Sequence, residues 1–332
     1  MTFMNIRFFQ FKKNSIQKIL QLPKLSYYLT RYVGYLLFKR PEFIIYSVNF
    51  DDRLPFYKDF FFVVIARIFS KKIIQYDMGQ YAIEFWERIS SFEKRLFCFI
   101  INSFHLIIVQ GEQTRKRYSY VIDVDKIQSL PCCAVDTSNI EIDTTIYYDL
   151  EKINILYFSL LSESKGLWIA MKSAEMLSKK FPNLHFNFVG AGDSDNTLND
   201  FNDFVLKNGL VDNIIYHGYA ATEQEKILHF RYNDIFIFPT NRDTFGIVLL
   251  HAMAEAKPVI STIEGNIPDI IKHNFNGFLF NKNDHQQLAE YLQVLIEDES
   301  LRKEFGIRSR DIFLENYTAE KYSDNLKKIL TL

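Results

Sequence analysis

The run Asp234-Ile-Phe-Ile-Phe-Pro239-Thr-Asn-Arg-Asp243-Thr-Phe-Gly246-Ile-Val-Leu-Leu-His251 reads as an apolar strand, a polar turn and a helix expected to begin near Thr244. Lys257-Pro258 then opens a second apolar strand, and Glu264-Gly265-Asn266-Ile-Pro268 a second turn. A helix start beside the end of a buried parallel strand is a natural anion site, because its unpaired N–H groups and its dipole both favour phosphate. Asp243 stands at the mouth of that turn as an acidic acceptor or as a helix cap, a role Asp fills well. His251 is expected two helical turns further in, with its side chain leaning back toward the helix start. One short stretch can therefore offer phosphate-binding amides, a carboxylate and an imidazole.

Two further turns carry candidate chemistry. Ser162-Glu-Ser-Lys165-Gly166 follows the strand Ile153–Phe158, and Lys165 is either a phosphate-reaching point charge or a solvated residue at a helix start. Gly190-Ala-Gly192-Asp193 follows the strand Leu184–Val189, where glycines let backbone approach a ligand or simply turn the chain. The pair Asp193 and Asp195 falls short of a metal site. No zinc spacing, P-loop or Ser/His/Asp relay is visible.

The Asp234–Phe280 stretch resembles the C-terminal signature of glycosyltransferase family 4, retaining enzymes that use sugar nucleotides and have the GT-B fold of two Rossmann-like domains. That signature has an acidic residue, seven residues, then a Glu, with Phe-Gly inside the gap. Here the spacing and Phe245-Gly246 are kept, the first position is Asp243 and the second is His251. The resemblance implies an α/β, GT-B chain with parallel sheets facing across a cleft. It implies a hexose-type transfer from a nucleotide-diphosphate sugar to a saccharide or lipid-linked acceptor, with retention, in surface polysaccharide synthesis. Asp243 and Lys165 would be catalytic. Ser159, Lys165, Gly166, Gly190, Gly192, Tyr219, Asp243, Thr244, Phe245, Gly246, Ile247, Val248 and His251 would bind the donor. No metal or other cofactor is expected.

Several positions depart from the resembled pattern. Leu160 stands where an Arg would share the diphosphate with Lys165. Met78 stands where a His would face the donor sugar, and Gly265-Asn266 replaces a double glycine. Pro131-Cys132-Cys133-Ala-Val-Asp136 replaces a Pro-Asn-Gly-Val-Asp hinge. A neutral imidazole at 251 offers one acceptor and one donor, not a carboxylate's two acceptors. The chain is also expected to begin after the first strand and glycine-rich loop of the family. These departures support an alternative, a catalytically impaired GT-B protein that binds or scaffolds. A sugar-nucleotide epimerase is disfavoured by the Phe-Gly region.

The elements that must hold these residues alternate throughout. Strand-like runs are expected at Phe43–Val48, Lys72–Gln75, Leu106–Gln110, Ile153–Phe158, Leu184–Val189, Asn213–Tyr216, Ile235–Phe238, Val259–Ser261 and Gly277–Phe280, with helix-length segments between them. Such a pattern means buried parallel sheets. The expected division is 1–135 as the acceptor-side domain, 150–316 as the sugar-nucleotide domain, and 317–332 as a helix returning toward the first. The 332 residues suit two domains, and 32 Phe and 19 Tyr supply two cores.

Residues 1–40 hold eight Lys and Arg and no Asp or Glu, so the rest of the chain is acidic against an overall charge of -1. Such a basic segment, interleaved with apolar residues, can rest on an anionic membrane surface or simply form a solvated helix face. Nucleic acid is not an expected partner, because no recognition module accompanies the charge. No run is long enough to span a bilayer, no leader is evident, and the three cysteines match no disulfide or metal framework. The expected location is cytoplasmic, with peripheral contact at the inner membrane face.

Overall fold

A computed structural model describes all residues except 1–21, 40, 49, 51, 70, 71, 77–80, 142–147 and 332. Most of the basic N-terminal segment and Met78 therefore lie outside the described residues. The chain divides into two compact units, Met1–Val109 with Thr114–Ser129, and Gln110–Gln113 with Leu130–Leu332.

Elements of the first part run α1 (Leu22–Lys39), β1 (Phe43–Tyr46), α2 (Arg53–Phe69), β2 (Lys72–Tyr76), α3 (Tyr81–Arg88), α4 (Ser91–Ser103), β3 (Leu106–Val109), α5 (Glu112–Tyr118) and β4 (Ile127–Ser129). The four strands form one parallel sheet in the order β1-β2-β3-β4. Its core is aromatic: Phe56, Phe62 and Phe97 are almost fully buried, and the rings of Phe56 and Phe85 lie 4.9 Å apart. A capping box fixes the start of α4, where Ser90 and Glu93 satisfy each other's backbone N–H groups. The strand β4 is absent from the expected list; its three residues, Ile-Gln-Ser, carry too little apolar pattern to read as one.

The second part runs β5 (Ile153–Phe158), α6 (Leu167–Ser178), β6 (Leu184–Val189), α7 (Asp195–Lys207), β7 (Ile214–Gly218), α8 (Glu223–Arg231), β8 (Ile235–Phe238), α9 (Ile247–Ala254), β9 (Val259–Thr262), α10 (Ile267–Ile270), β10 (Gly277–Phe280), α11 (His285–Glu297), α12 (Glu299–Asn316) and α13 (Ala319–Leu330). The six strands are all parallel, in the order β10-β9-β8-β5-β6-β7. Every residue of β6, β8 and β9 is buried, which fits strands built mainly from Ile, Val, Leu and Phe. Asn187 is fully buried within β6, and its amide is satisfied by Asn154, Asn233 and His217.

The chain winds outward from β5 toward β7, then returns to lay β8, β9 and β10 on the other side. The order thus reverses between β5 and β8, and the crevice beyond the carboxyl ends of those two strands is where such sheets bind ligands.

The second unit takes in Gln110–Gln113 and the chain from Leu130 onward. Arg310 explains why: its guanidinium makes two bonds to the Asp136 carboxylate, at 2.8 and 2.7 Å, and also donates to the Ala254 carbonyl and Ser138. The backbone of Ala134 donates to Tyr317 at 3.0 Å. The segment after Pro131 is therefore part of this unit, with Cys132 and Ala134 in its core, and residues 317–331 group with the same unit. The overall class is α/β with two parallel sheets, one per unit.

Candidate functional site

Two loops meet at the switch point. The loop after β5 turns through Gly166, whose φ of +75° is left-handed; a Cβ there would stand 1.8 Å from the Pro239 carbonyl oxygen. The loop after β8 is stitched to it: the N–H groups of Asn241 and Arg242 donate to the Ser164 carbonyl at 2.9 and 3.1 Å. This seam brings Lys165 to Asp243. Lys165 Nζ lies 2.7 Å from Asp243 Oδ2 and 3.1 Å from the Arg242 carbonyl, so it is an ion-paired residue rather than a solvated one.

Asp243 caps no helix. Its Oδ1 accepts from the Phe245 N–H at 3.1 Å, forming a local turn, and α9 begins only after Gly246, at φ +76°. The helix thus starts at Ile247, not Thr244, and His251 lies one turn in, not two. The turn is clamped from behind. Asn266 donates from its backbone and its side chain to the Thr244 carbonyl, at 2.8 and 3.0 Å. Gly265 packs so closely there that a Cβ would come within 2.4 Å of the Asp243 carbonyl oxygen.

Phe158, Ser159, Lys226, Phe238, Asp243, Gly246, Ile247, Val248 and His251 line a recess of about 290 Å³. The N–H groups of Gly246, Ile247 and Val248 open the first turn of α9, and none of them donates to any described residue. The His251 imidazole has no hydrogen-bond partner among the described residues, and its ring lies 5.8 Å from that of Phe230. Burial, helped by the nearby Lys226 charge, pushes its pKa down to about 4, against a weaker upward pull from Glu223. The imidazole is therefore neutral near pH 7 and presents one donor and one acceptor.

Six of the expected donor-binding residues line this recess directly: Ser159, Asp243, Gly246, Ile247, Val248 and His251. Lys165 reaches it through Asp243. Gly190 supports it from outside, since a Cβ there would stand 1.8 Å from the Ser159 carbonyl oxygen. Gly166 borders a second, smaller recess with Trp168 and His285. Tyr219 is 72% exposed and Gly192 abuts Leu198, both apart from the recess lining. Phe245 sends its side chain into the core against Tyr317, and Thr244 contributes the carbonyl that Asn266 holds. Leu160 is half-exposed and brings no charge. Near Gly192, Ser194 caps α7 and Asp193 accepts from Thr197, which are structural duties. Cys132 is buried with its thiol pushed up to about 11 by burial, and all three cysteines are free.

Sequence reasoning missed Phe158, Phe238 and Lys226 in the lining. The two phenylalanines end β5 and β8, so the switch-point rule could have found them. Nothing in the local pattern of α8 marks Lys226.

Comparison with known proteins identifies the family and the fold. The family described as "Glycosyl transferases group 1" matches residues 146–312, which is 167 residues and just over half the chain. An uncharacterized glycosyltransferase of Methanocaldococcus jannaschii is 29% identical over 164 residues, covering 49% of this chain and 46% of that one. The capsular polysaccharide biosynthesis glycosyltransferase CapM of Staphylococcus aureus is 27% identical over 154 residues, 46% of this chain and 39% of its own. The matches thus span half or less of these curated relatives' length. Among solved structures, the Anabaena HepE protein in complex with UDP shares the fold, with a TM-score of 0.75 at 16% identity over 96% of this chain and 84% of that one. Sucrose-phosphate synthase of Thermosynechococcus elongatus has a TM-score of 0.73 at 15% identity, over 96% of this chain and 80% of its own. With a family match across the whole β5–β10 sheet and GT-B neighbours for the fold, this chain belongs to the group 1 glycosyl transferases.

Proposed function

We propose that the chain transfers a hexose-type sugar from a nucleoside-diphosphate donor to a saccharide or lipid-linked acceptor, with retention and without a metal, in surface polysaccharide synthesis. The observation that carries this reading is the row of unclaimed N–H groups at Gly246, Ile247 and Val248, opening onto a recess at the switch point. Fixed amides of this kind stabilise a departing diphosphate without reorganising as charge develops. Asp243 would face the donor sugar and Lys165 the diphosphate. The reading is supported by family membership, by the capsular role of one relative and by the UDP bound in one structural neighbour. Peripheral contact with an anionic membrane through residues 1–40 belongs to the same proposal, and sedimentation with anionic vesicles tests it.

A thermal-shift screen with UDP, GDP and their sugars is the direct test, because a ligand that binds only the folded state raises its melting temperature. Stabilisation by one diphosphate and its sugars is the expected result; no shift with any of them would sink the reading. The half-exposed Leu160 and the neutral His251 favour one second reading, a protein that binds the donor but turns it over poorly. Donor stabilisation with no transfer or hydrolysis would select it.

A further inference from the structure

Lys226 reaches the recess wall from α8. Among the described residues its ammonium is partnered only by Glu223, three residues earlier on the same helix, at 2.7 and 3.0 Å. The two ends of that pair differ. The Glu223 side chain is 76% exposed, whereas that of Lys226 is 25% exposed and forms part of the recess wall. An exposed pair one helical turn apart is weakly held. A doubly charged anion in a half-buried recess is a far stronger partner for an ammonium group.

The charges of the recess sharpen this point. Asp243 is already neutralised by Lys165, and His251 stands uncharged, partly because the Lys226 charge is close to it. Lys226 is therefore the cation in the lining whose present partner is a solvent-facing carboxylate. Leu160, on the Lys165 loop, adds none.

We infer that Lys226 is the second cation of this chain's donor site: it leaves Glu223 to grip the diphosphate of a nucleoside-diphosphate ligand seated at the start of α9. This rests on the donor-site reading above. It makes the site a two-lysine clamp, with Lys165 delivered by the loop after β5 and Lys226 by the helix after β7. Lysine suits the task, since a point charge on a flexible stem can swing between two anionic partners.

Calorimetric titration of the full chain with UDP and GDP, and with uridine and guanosine as uncharged counterparts, tests it. Lys226→Met keeps the apolar stem and removes the charge; Lys226→Arg keeps the charge. The expected result is a loss of about tenfold or more in diphosphate affinity for Lys226→Met, no change for the nucleosides, and affinity within about threefold of the original for Lys226→Arg. Raising the salt concentration should weaken diphosphate binding less in Lys226→Met than in the original chain. Equal diphosphate affinity in Lys226→Met would overturn the inference, as would an equal loss for diphosphate and nucleoside, which would make Lys226 a shape-giving wall residue. If the unaltered chain binds neither diphosphate, the donor-site reading itself fails, and that outcome is read without any variant.

Discussion

Lys165 Nζ sits 2.7 Å from Asp243 Oδ2, joining the loop after β5 to the loop after β8 at the point where the strand order reverses. The ion pair is about three-quarters or more buried on both sides, so removing one partner leaves the other charge poorly solvated. Lys165→Ala should therefore weaken nucleoside-diphosphate binding about tenfold or more and also lower the melting temperature. Calorimetry and a thermal melt on one variant check both. Unchanged affinity would remove Lys165 from the site.

The glycines of the seam separate backbone strain from collision. Gly166→Ala would adopt a left-handed conformation and put its Cβ 1.8 Å from the Pro239 carbonyl oxygen. Gly209 is also left-handed, at φ +63°, but nothing lies within 4 Å of a Cβ there. Left-handed backbone alone costs about 1–2 kcal/mol for alanine. Gly209→Ala should fall in that range, and Gly166→Ala should exceed about 3 kcal/mol because backbone must move. Denaturant unfolding of the two variants measures the difference, and equal losses would mean that the β5 and β8 loops are not packed as described.

Much of this architecture is written in local pattern. Ile153–Phe158, Leu184–Val189, Ile235–Phe238 and Gly277–Phe280 are strands with the expected bounds, because a buried parallel strand must be apolar on both faces. Ile127–Ser129 is not legible, since its partner β3 rather than its own composition makes it a strand. The helix starts three residues later than the pattern suggests for a physical reason: Asp243 Oδ1 accepts from the Phe245 N–H, and left-handed Gly246 resets the chain before α9. Asp243, Gly246 and His251 could be grouped from sequence because they lie on one turn and one helix. Lys226 could not, because only the packing of α8 beside α9 brings it to them.

Acid should destabilise the second unit in two windows. His251 and His229 are held down to about 4 by burial, against 6.5 for an ordinary histidine. Between those values the unfolded chain binds protons that the folded chain refuses, so stability is fully present above about pH 6.5 and falls as pH drops toward 4. Asp136 is lowered to about 2 from 3.8, chiefly by its hydrogen bonds to Arg310. Its contribution is present above about pH 4 and is lost as pH falls toward 2. Thermal melts across pH 7.5 to 4.5 should show a falling melting temperature that His251→Gln makes shallower. A flat profile over that range would mean that the two histidines titrate normally.

Lys226 also decides what happens when His251 is replaced by the residue usual at its position in the resembled family. A carboxylate at 251 would enter a largely buried site, and without a counter-charge that costs several kcal/mol. The counter-charge is at hand, because Lys226 lines the same recess and already acts electrostatically on His251. His251→Glu alone should therefore fold, with a loss of under about 1.5 kcal/mol, as the new carboxylate draws Lys226 away from exposed Glu223. In the background of Lys226→Met the same change should be costly. Unfolding measurements on the two single variants and the double variant form a cycle, and a coupling above about 1 kcal/mol is expected for groups in contact. Additive losses would separate Lys226 from His251 and with it the two-lysine clamp. If the coupling is found, nucleotide titration of His251→Glu gives the second half of the answer. A carboxylate that engages Lys226 should lower diphosphate affinity, whereas one that accepts from the ribose hydroxyls should raise it.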